Sequence, residues 1–120
     1  MPRFVYSEAV DQAARVLFAK HKVSVDDRYG KCISPGYVVD ESRDGGVRVS
    51  HRMPEPDLLD DDRMSSDEMA EERHGMVELY AKSLESAGWS VTRRGPRSRN
   101  PYLLATRPTG NPALSPEGPR

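Results

Sequence analysis

The sequence contains one cysteine, no long apolar run and no recognisable catalytic motif, and each of these shortages excludes a class of protein. Because Cys32 is the only cysteine, the chain can form neither an internal disulfide nor a four-cysteine zinc site. No stretch approaches the roughly 20 apolar residues that a transmembrane helix needs. The apolar segment Phe4–Tyr6 is too short to be the core of a secretory signal peptide. These absences favour a cytoplasmic protein.

No arrangement typical of an enzyme is present either. Cys32 has a basic neighbour, but the sequence places no general base near its thiol. Glu71 and His74 have the i, i+3 spacing of carboxylate-bridged metal helices, yet such a site needs further glutamates from neighbouring helices. The first predicted helix offers only Glu8 and Asp11. We therefore expect no catalytic activity, no metal and no cofactor.

The composition predicts one small domain with a modest core. Apolar residues make up 36% of the chain and charged residues 31%. Thr109–Arg120 holds three prolines and two glycines with few apolar residues, so it cannot offset its ordering entropy and is predicted to be a disordered tail. Residues 1–108 remain as a single α+β domain, and a domain of this size buries only about 60–65% of its unfolded surface.

Apolar periodicity predicts two amphipathic helices. The first is placed at Ser7–His21, and its first residue is a suitable N-cap. The second is placed at Ser66–Ala87 and begins with a capping box, in which Ser65 and Glu68 each bond the other residue's backbone N–H. Gly88 then supplies the left-handed conformation that commonly ends a helix.

Two β-hairpins follow the helices along the chain. The first pairs Tyr37–Glu41 with Val47–His51 around an Asp-Gly-Gly turn, which provides the positive φ angles that tight turns require. The second pairs Trp89–Arg94 with Tyr102–Arg107. The segment Asp26–Gly36, which precedes the first hairpin, contains several chain breakers and is predicted to be a loop.

The order helix, hairpin, helix, hairpin predicts an α+β fold. Its economical arrangement is an antiparallel sheet of about four strands with two helices on one face. Val23–Val25 alternates in polarity and could add a short strand. The register of the second hairpin stays open, because either Leu103 and Ala105 or Tyr102 and Leu104 could face the core.

Arginines around the tip of the second hairpin are the clearest functional signal. Trp89–Pro108 holds five arginines and no carboxylate. Guanidinium groups offer fork-shaped donors to phosphate and carboxylate, and a projecting hairpin could carry them to a nucleic-acid backbone or an acidic protein surface. The candidate anion-binding residues are Arg93, Arg94, Arg97 and Arg99, with Tyr102 available for stacking on bases. The leading hypothesis is a small non-enzymatic module that binds nucleic acid, although a basic tip also serves to keep a sheet edge soluble.

The alternative is a protein-interaction or regulatory accessory module. Carboxylates concentrate between Glu55 and Glu72, where a proline-containing linker carries Asp60, Asp61 and Asp62. Met69 and Met76 follow at near-helical spacing on the second helix. Thioether side chains repack easily, so methionines beside an acidic linker could form an adaptable surface for a partner.

Overall fold

The computed structural model describes residues 7–43 and 45–108, so the predicted tail, Thr109–Arg120, lies outside the described residues. The described chain contains two helices and six strands, which makes it an α+β protein as predicted. No described helix has the length and apolar character needed to cross a membrane. In chain order the elements are α1 (Glu8–Phe18), β1 (Val25–Asp26), β2 (Cys32–Ser34), β3 (Gly36–Glu41), β4 (Val47–Arg52), α2 (Ser66–Ser86), β5 (Ser90–Arg94) and β6 (Tyr102–Thr106).

The four long strands form one antiparallel sheet in the order β3–β4–β6–β5. Both predicted hairpins are present, and β4 and β6 join them at the centre of the sheet. The prediction that Asp26–Gly36 is a loop is wrong in part, because β1 and β2 form a second, two-stranded sheet. The Asp27 carboxylate accepts backbone N–H groups from Tyr29 (2.8 Å) and Lys31 (3.0 Å), and this side-chain turn brings the two short strands together.

The register of the four-stranded sheet separates a covered face from an open face. Val49 lies opposite Leu103, and Ala105 lies between Val47 and Val91, so Leu103 and Ala105 face the core. Both helices pack on this face, where α1 and α2 bury side chains in the same apolar cluster as the strands. The alternate residues, including those at positions 48, 92, 94, 102 and 104, lie on the face that neither helix covers.

Helix α2 has the predicted start and the predicted end. The Ser65 hydroxyl accepts the Glu68 N–H at 3.1 Å, and the Glu68 carboxylate accepts the Ser65 N–H at 2.8 Å, which completes the capping box. Gly88 has φ +93°, and the Trp89 N–H donates to the Leu84 carbonyl at 3.0 Å. This Schellman ending directs Trp89 into the core, where it is 5% exposed.

Candidate nucleic-acid interface

The four predicted arginines do not form one cluster, because neighbouring residues of β5 point to opposite faces of the sheet. Arg93 lies on the helix side, and its guanidinium donates to Glu78 at 2.8 and 2.9 Å and to Glu85 at 3.1 and 3.2 Å. These hydrogen bonds raise the pKa of Arg93 and lower the pKa of Glu78. Arg93 therefore fastens β5 to α2. Arg94 lies on the open face, opposite Tyr102 in the register.

The hairpin loop, residues 95–101, lies against α2 instead of projecting from the domain as the sequence suggested. His74 Nε2 donates to the Ser98 carbonyl at 2.7 Å, and Arg73 donates to the Arg99 carbonyl at 3.3 Å. The Arg99 guanidinium pairs with Asp67 at 2.9 Å. Three contacts thus hold the loop to the first half of the helix. Arg97 is exposed and has no carboxylate partner within residues 7–43 and 45–108.

The open face carries a stacked cation and aromatic ring. The guanidinium carbon of Arg48, on β4, lies 4.2 Å from the centroid of the Tyr102 ring, on β6. This distance is well inside the range of a cation–π contact. Both side chains are available to solvent in part, and Arg94 sits on the far side of Tyr102. We call Arg48 and Tyr102 the Arg48–Tyr102 platform, and Arg94 flanks it.

A groove of about 560 Å³ runs across the platform from the β3–β4 turn to β5. Arg43 lies at the turn end of this groove, Thr92 at the β5 end and Leu104 on the strand between them. Glu41 is the one carboxylate among the described residues that line it. The groove therefore combines a cation–π stack, serine and threonine hydroxyl groups, and two arginines against one glutamate, which suits an anionic ligand with flat groups.

Arg48 and Arg43 were missed as site residues when the sequence was considered alone. Alternation along β4 puts Arg48 on the face away from the core. However, nothing in the sequence indicates that β4 pairs with β6, so the contact between Arg48 and Tyr102 could not be foreseen. Only the strand order brings these two residues together.

A histidine and a tyrosine form a polar pair on the opposite, covered face. His51 is 8% exposed and lies on β4, one of the two inner strands of the sheet. Its Nδ1 is 2.7 Å from the Tyr80 hydroxyl, while its Nε2 is buried and has no hydrogen-bond partner among the described residues. Burial lowers the pKa of His51 and raises that of Tyr80. Burial thus favours the neutral form of the imidazole.

The residues of the alternative hypothesis are brought together in part. Asp60, Asp62 and Met69 line a groove of about 390 Å³ beside the linker. Asp61 does not line this groove, and Met76 lies elsewhere on α2 with Glu71, Glu72 and other residues. Within the described residues, none of the three linker aspartates pairs with a hairpin arginine; Asp67 of α2 does so instead.

Comparison with known proteins adds no relative from which a function could be transferred. No protein-family model matches the sequence, and no curated protein or solved structure is significantly similar to it. The function must therefore be inferred from the chemistry of the site.

Proposed function

We propose that this protein is a small non-enzymatic module that binds single-stranded nucleic acid on the open face of its four-stranded sheet. The observation that carries the proposal is the Arg48 guanidinium stacked 4.2 Å from the centre of the Tyr102 ring. Unpaired bases stack on aromatic rings and on guanidinium planes. A stack of these two groups in a 560 Å³ groove therefore offers a cationic platform for a base.

The position of the hairpin loop favours a single strand over a duplex. A two-stranded ribbon that enters the major groove must project from its domain, whereas this loop is held to α2 through His74 and Asp67. A flat sheet face, by contrast, suits bases that are splayed out of a helix. The open face offers such a surface, and an unpaired base can stack on Arg48 and Tyr102 there.

Phosphate contacts are assigned to three arginines of the open face and the hairpin loop that have no carboxylate partner among the described residues. These are Arg48 and Arg94 on the open face and Arg97 in the loop. Arg93 is excluded because two glutamates already occupy its guanidinium. With about three phosphates neutralised, the slope of log K against log salt should be roughly −2 on a single strand, at about −0.7 per phosphate.

The test is a fluorescence-anisotropy titration of a labelled single-stranded oligonucleotide and of the matching duplex at two salt concentrations. Arg48→Gln and Tyr102→Leu should each weaken single-strand binding by roughly 5- to 150-fold, the range that corresponds to one stacking contact of about 1–3 kcal/mol. Arg15→Gln is the matched control, since Arg15 is an exposed helix arginine that pairs with Asp11 on the covered side of the sheet. Absence of single-strand binding at about 50 mM salt, where electrostatic affinity is high, contradicts the proposal.

A second candidate function, protein interaction, is favoured by the groove beside the acidic linker. Three methionines and three prolines line it together with three aspartates and one arginine: Pro35, Met53, Pro54, Pro56, Asp57, Asp60, Asp62, Arg63, Met64 and Met69. Leu58 and Leu59 in the same linker are 75% and 93% exposed. An apolar groove with an acidic rim suits a basic amphipathic peptide.

A titration with a synthetic helical peptide of leucines and lysines tests this second candidate. The methyl resonances of Met64 and Met69 should shift and saturate, and the double change Asp60→Asn with Asp62→Asn should weaken the effect. Unchanged methionine resonances at millimolar peptide would remove this groove from consideration. The two functions use separate surfaces, so each result stands by itself.

A further inference from the structure

A small basic pocket opens next to the Arg48–Tyr102 platform, where β4 ends beside the hairpin loop. Its volume is about 250 Å³. Among the described residues that line it, the pocket has three arginines and no carboxylate; they are Val38, Arg48, Ser50, His51, Arg52, Arg73, Asn100 and Pro101. Arg48 lines both this pocket and the larger groove, so the two depressions share a wall.

Two of the three guanidinium groups have donors to spare. Arg52 is occupied, because it donates to the Asp26 carboxylate at 2.8 Å and to the Gly30 carbonyl at 2.7 Å. Arg73 donates through one nitrogen to a backbone carbonyl of the loop, and Arg48 stacks on Tyr102. Neither has a carboxylate partner within the described parts of the chain. Both therefore have charged N–H groups that form no salt bridge among the described residues, and Asp40 is the carboxylate that lies opposite Arg48 in the register.

His51 supplies the second, independent indication of a ligand. It lines the pocket, it is 92% buried, and its Nε2 has no hydrogen-bond partner among the described residues. Buried polar atoms in native proteins are almost always paired, and an unpaired one beside the pocket carries a free-energy penalty. If the Tyr80 hydroxyl donates to Nδ1, Nε2 carries the proton and becomes a donor. Two charged residues of α2 act on His51 in opposite directions: Glu72 raises its pKa, and Arg73 lowers it.

We propose that this pocket binds a phosphomonoester, namely the terminal phosphate of a nucleic-acid strand whose adjacent base stacks on the Arg48–Tyr102 platform. The identity of the strand rests on the function proposed above, whereas the phosphate chemistry rests on the pocket alone. A terminal phosphate carries a charge of about −1.5 to −2 at pH 7 and three strong acceptor oxygens. An internal phosphodiester has a single negative charge. Several convergent donors without a carboxylate therefore favour the monoester, and the shared wall at Arg48 connects it to the base.

The first experiment examines the pocket without nucleic acid. Inorganic phosphate and a nucleoside monophosphate are titrated separately into the ¹⁵N-labelled protein, and the ring nitrogens of His51 and the amides of Asn100 and Arg73 are followed by NMR. Both probes should shift these resonances, the nucleotide at lower concentration because its base also reaches the platform. Inorganic sulfate, a dianion that is not a phosphate, shows how much of the shift comes from negative charge alone.

The second experiment compares one oligonucleotide sequence with a 5′-phosphate, with a 3′-phosphate and with neither. One of the two phosphates should tighten binding at least about tenfold, as expected for charge-assisted hydrogen bonds to a buried anion. Arg73→Gln should abolish this preference and leave the affinity for the unphosphorylated strand nearly unchanged. Asp67→Asn is the matched control, because it also removes one contact between the loop and α2 but Asp67 does not line the pocket, and the preference should persist in it.

The outcomes separate the pocket from the function on which its ligand depends. Equal affinity for all three oligonucleotides, with no shift of His51 by phosphate, overturns the pocket and leaves the proposed function intact. Shifts of His51 and Asn100 by phosphate without any oligonucleotide binding support the pocket and overturn the proposed function. A protein that responds to none of the probes contradicts both.

Discussion

Arg93 and Arg94 are consecutive residues on opposite faces of the sheet. We expect Arg93→Gln to lower stability without weakening binding, and Arg94→Gln to weaken binding without lowering stability. Arg93→Gln removes four hydrogen bonds to Glu78 and Glu85. It also leaves two carboxylates seven residues apart on one face of α2 without their shared cation. Arg94→Gln removes a charge from the open face that pairs with no described carboxylate.

The size of the stability effect follows from the exposure of the pairs. The side chains of Arg93, Glu78 and Glu85 are 42%, 44% and 43% exposed, so solvent screens them substantially. An exposed pair is worth about 0.2–1 kcal/mol, and bidentate geometry favours the upper end. We expect Arg93→Gln to lower the free energy of unfolding by about 1 kcal/mol. For a domain of this size the melting temperature should fall by roughly 4–8 °C.

Single-strand binding should instead depend on Arg94. Arg94→Gln should change the free energy of unfolding by no more than about ±0.5 kcal/mol, as is usual for surface substitutions that break no contact. It should weaken single-strand binding and reduce the salt slope by about 0.7, the loss of one phosphate contact. Thermal melts and anisotropy titrations of the two variants, made in the same buffer, measure all four quantities. If Arg93→Gln weakens binding as much as Arg94→Gln while melting normally, the assignment of the two arginines to separate roles is wrong.

Four further predictions concern single residues. Trp89→Ala should lower the free energy of unfolding by about 3–5 kcal/mol, and a wild-type urea midpoint would remove Trp89 from the core. Ser65→Ala should lower it by about 1 kcal/mol through loss of the helix cap, measured in the same way. Because the folded-state pKa of His51 lies below the ordinary value of 6.5, stability should be full above that pH and decline as the pH falls toward the folded pKa. Urea midpoints at about pH 7.5 and 5.5 should differ less in His51→Gln than in wild type. Asp67→Asn should release Arg99 and steepen the salt slope of single-strand binding by up to about 0.7, whereas an unchanged slope would show that Arg99 contacts no phosphate.

The long elements of the fold could be predicted because their signals are local. The capping box and the Gly88 ending depend on residues a few positions apart, and the structure reproduces them with α2 at Ser66–Ser86. Both hairpins were predictable from alternation and turn residues. The two-stranded sheet was missed because one strand has two residues and the other three, and a side chain, Asp27, holds their turn.

The site was predictable only as a list of residue types. The sequence correctly indicated arginine near the second hairpin, but contiguity in sequence did not translate into one surface. Because side chains alternate along β5, Arg93 lies on the side of α2 and pairs with Glu78. Arg99, in the loop held to α2, pairs with Asp67. The partner of Tyr102 is Arg48, more than fifty positions earlier, and strand order alone determines that contact. Long-range pairing of this kind has no local sequence signature.

The nearly balanced net charge of −1 conceals a division of charge between the two faces of the sheet. On the helix side, carboxylates of α2 neutralise Arg93 and Arg99, so these arginines contribute to the attachment of β5 and the loop. On the open side, Arg48 and Arg94 have no such partner among the described residues. Arginines that stabilised only the fold would be expected to lie beside acids. Arg48 instead stacks on Tyr102 and lines the small basic pocket, while Arg94 lies opposite Tyr102 in the register. The phosphate-bearing ligand that we propose would bring negative charge to this face.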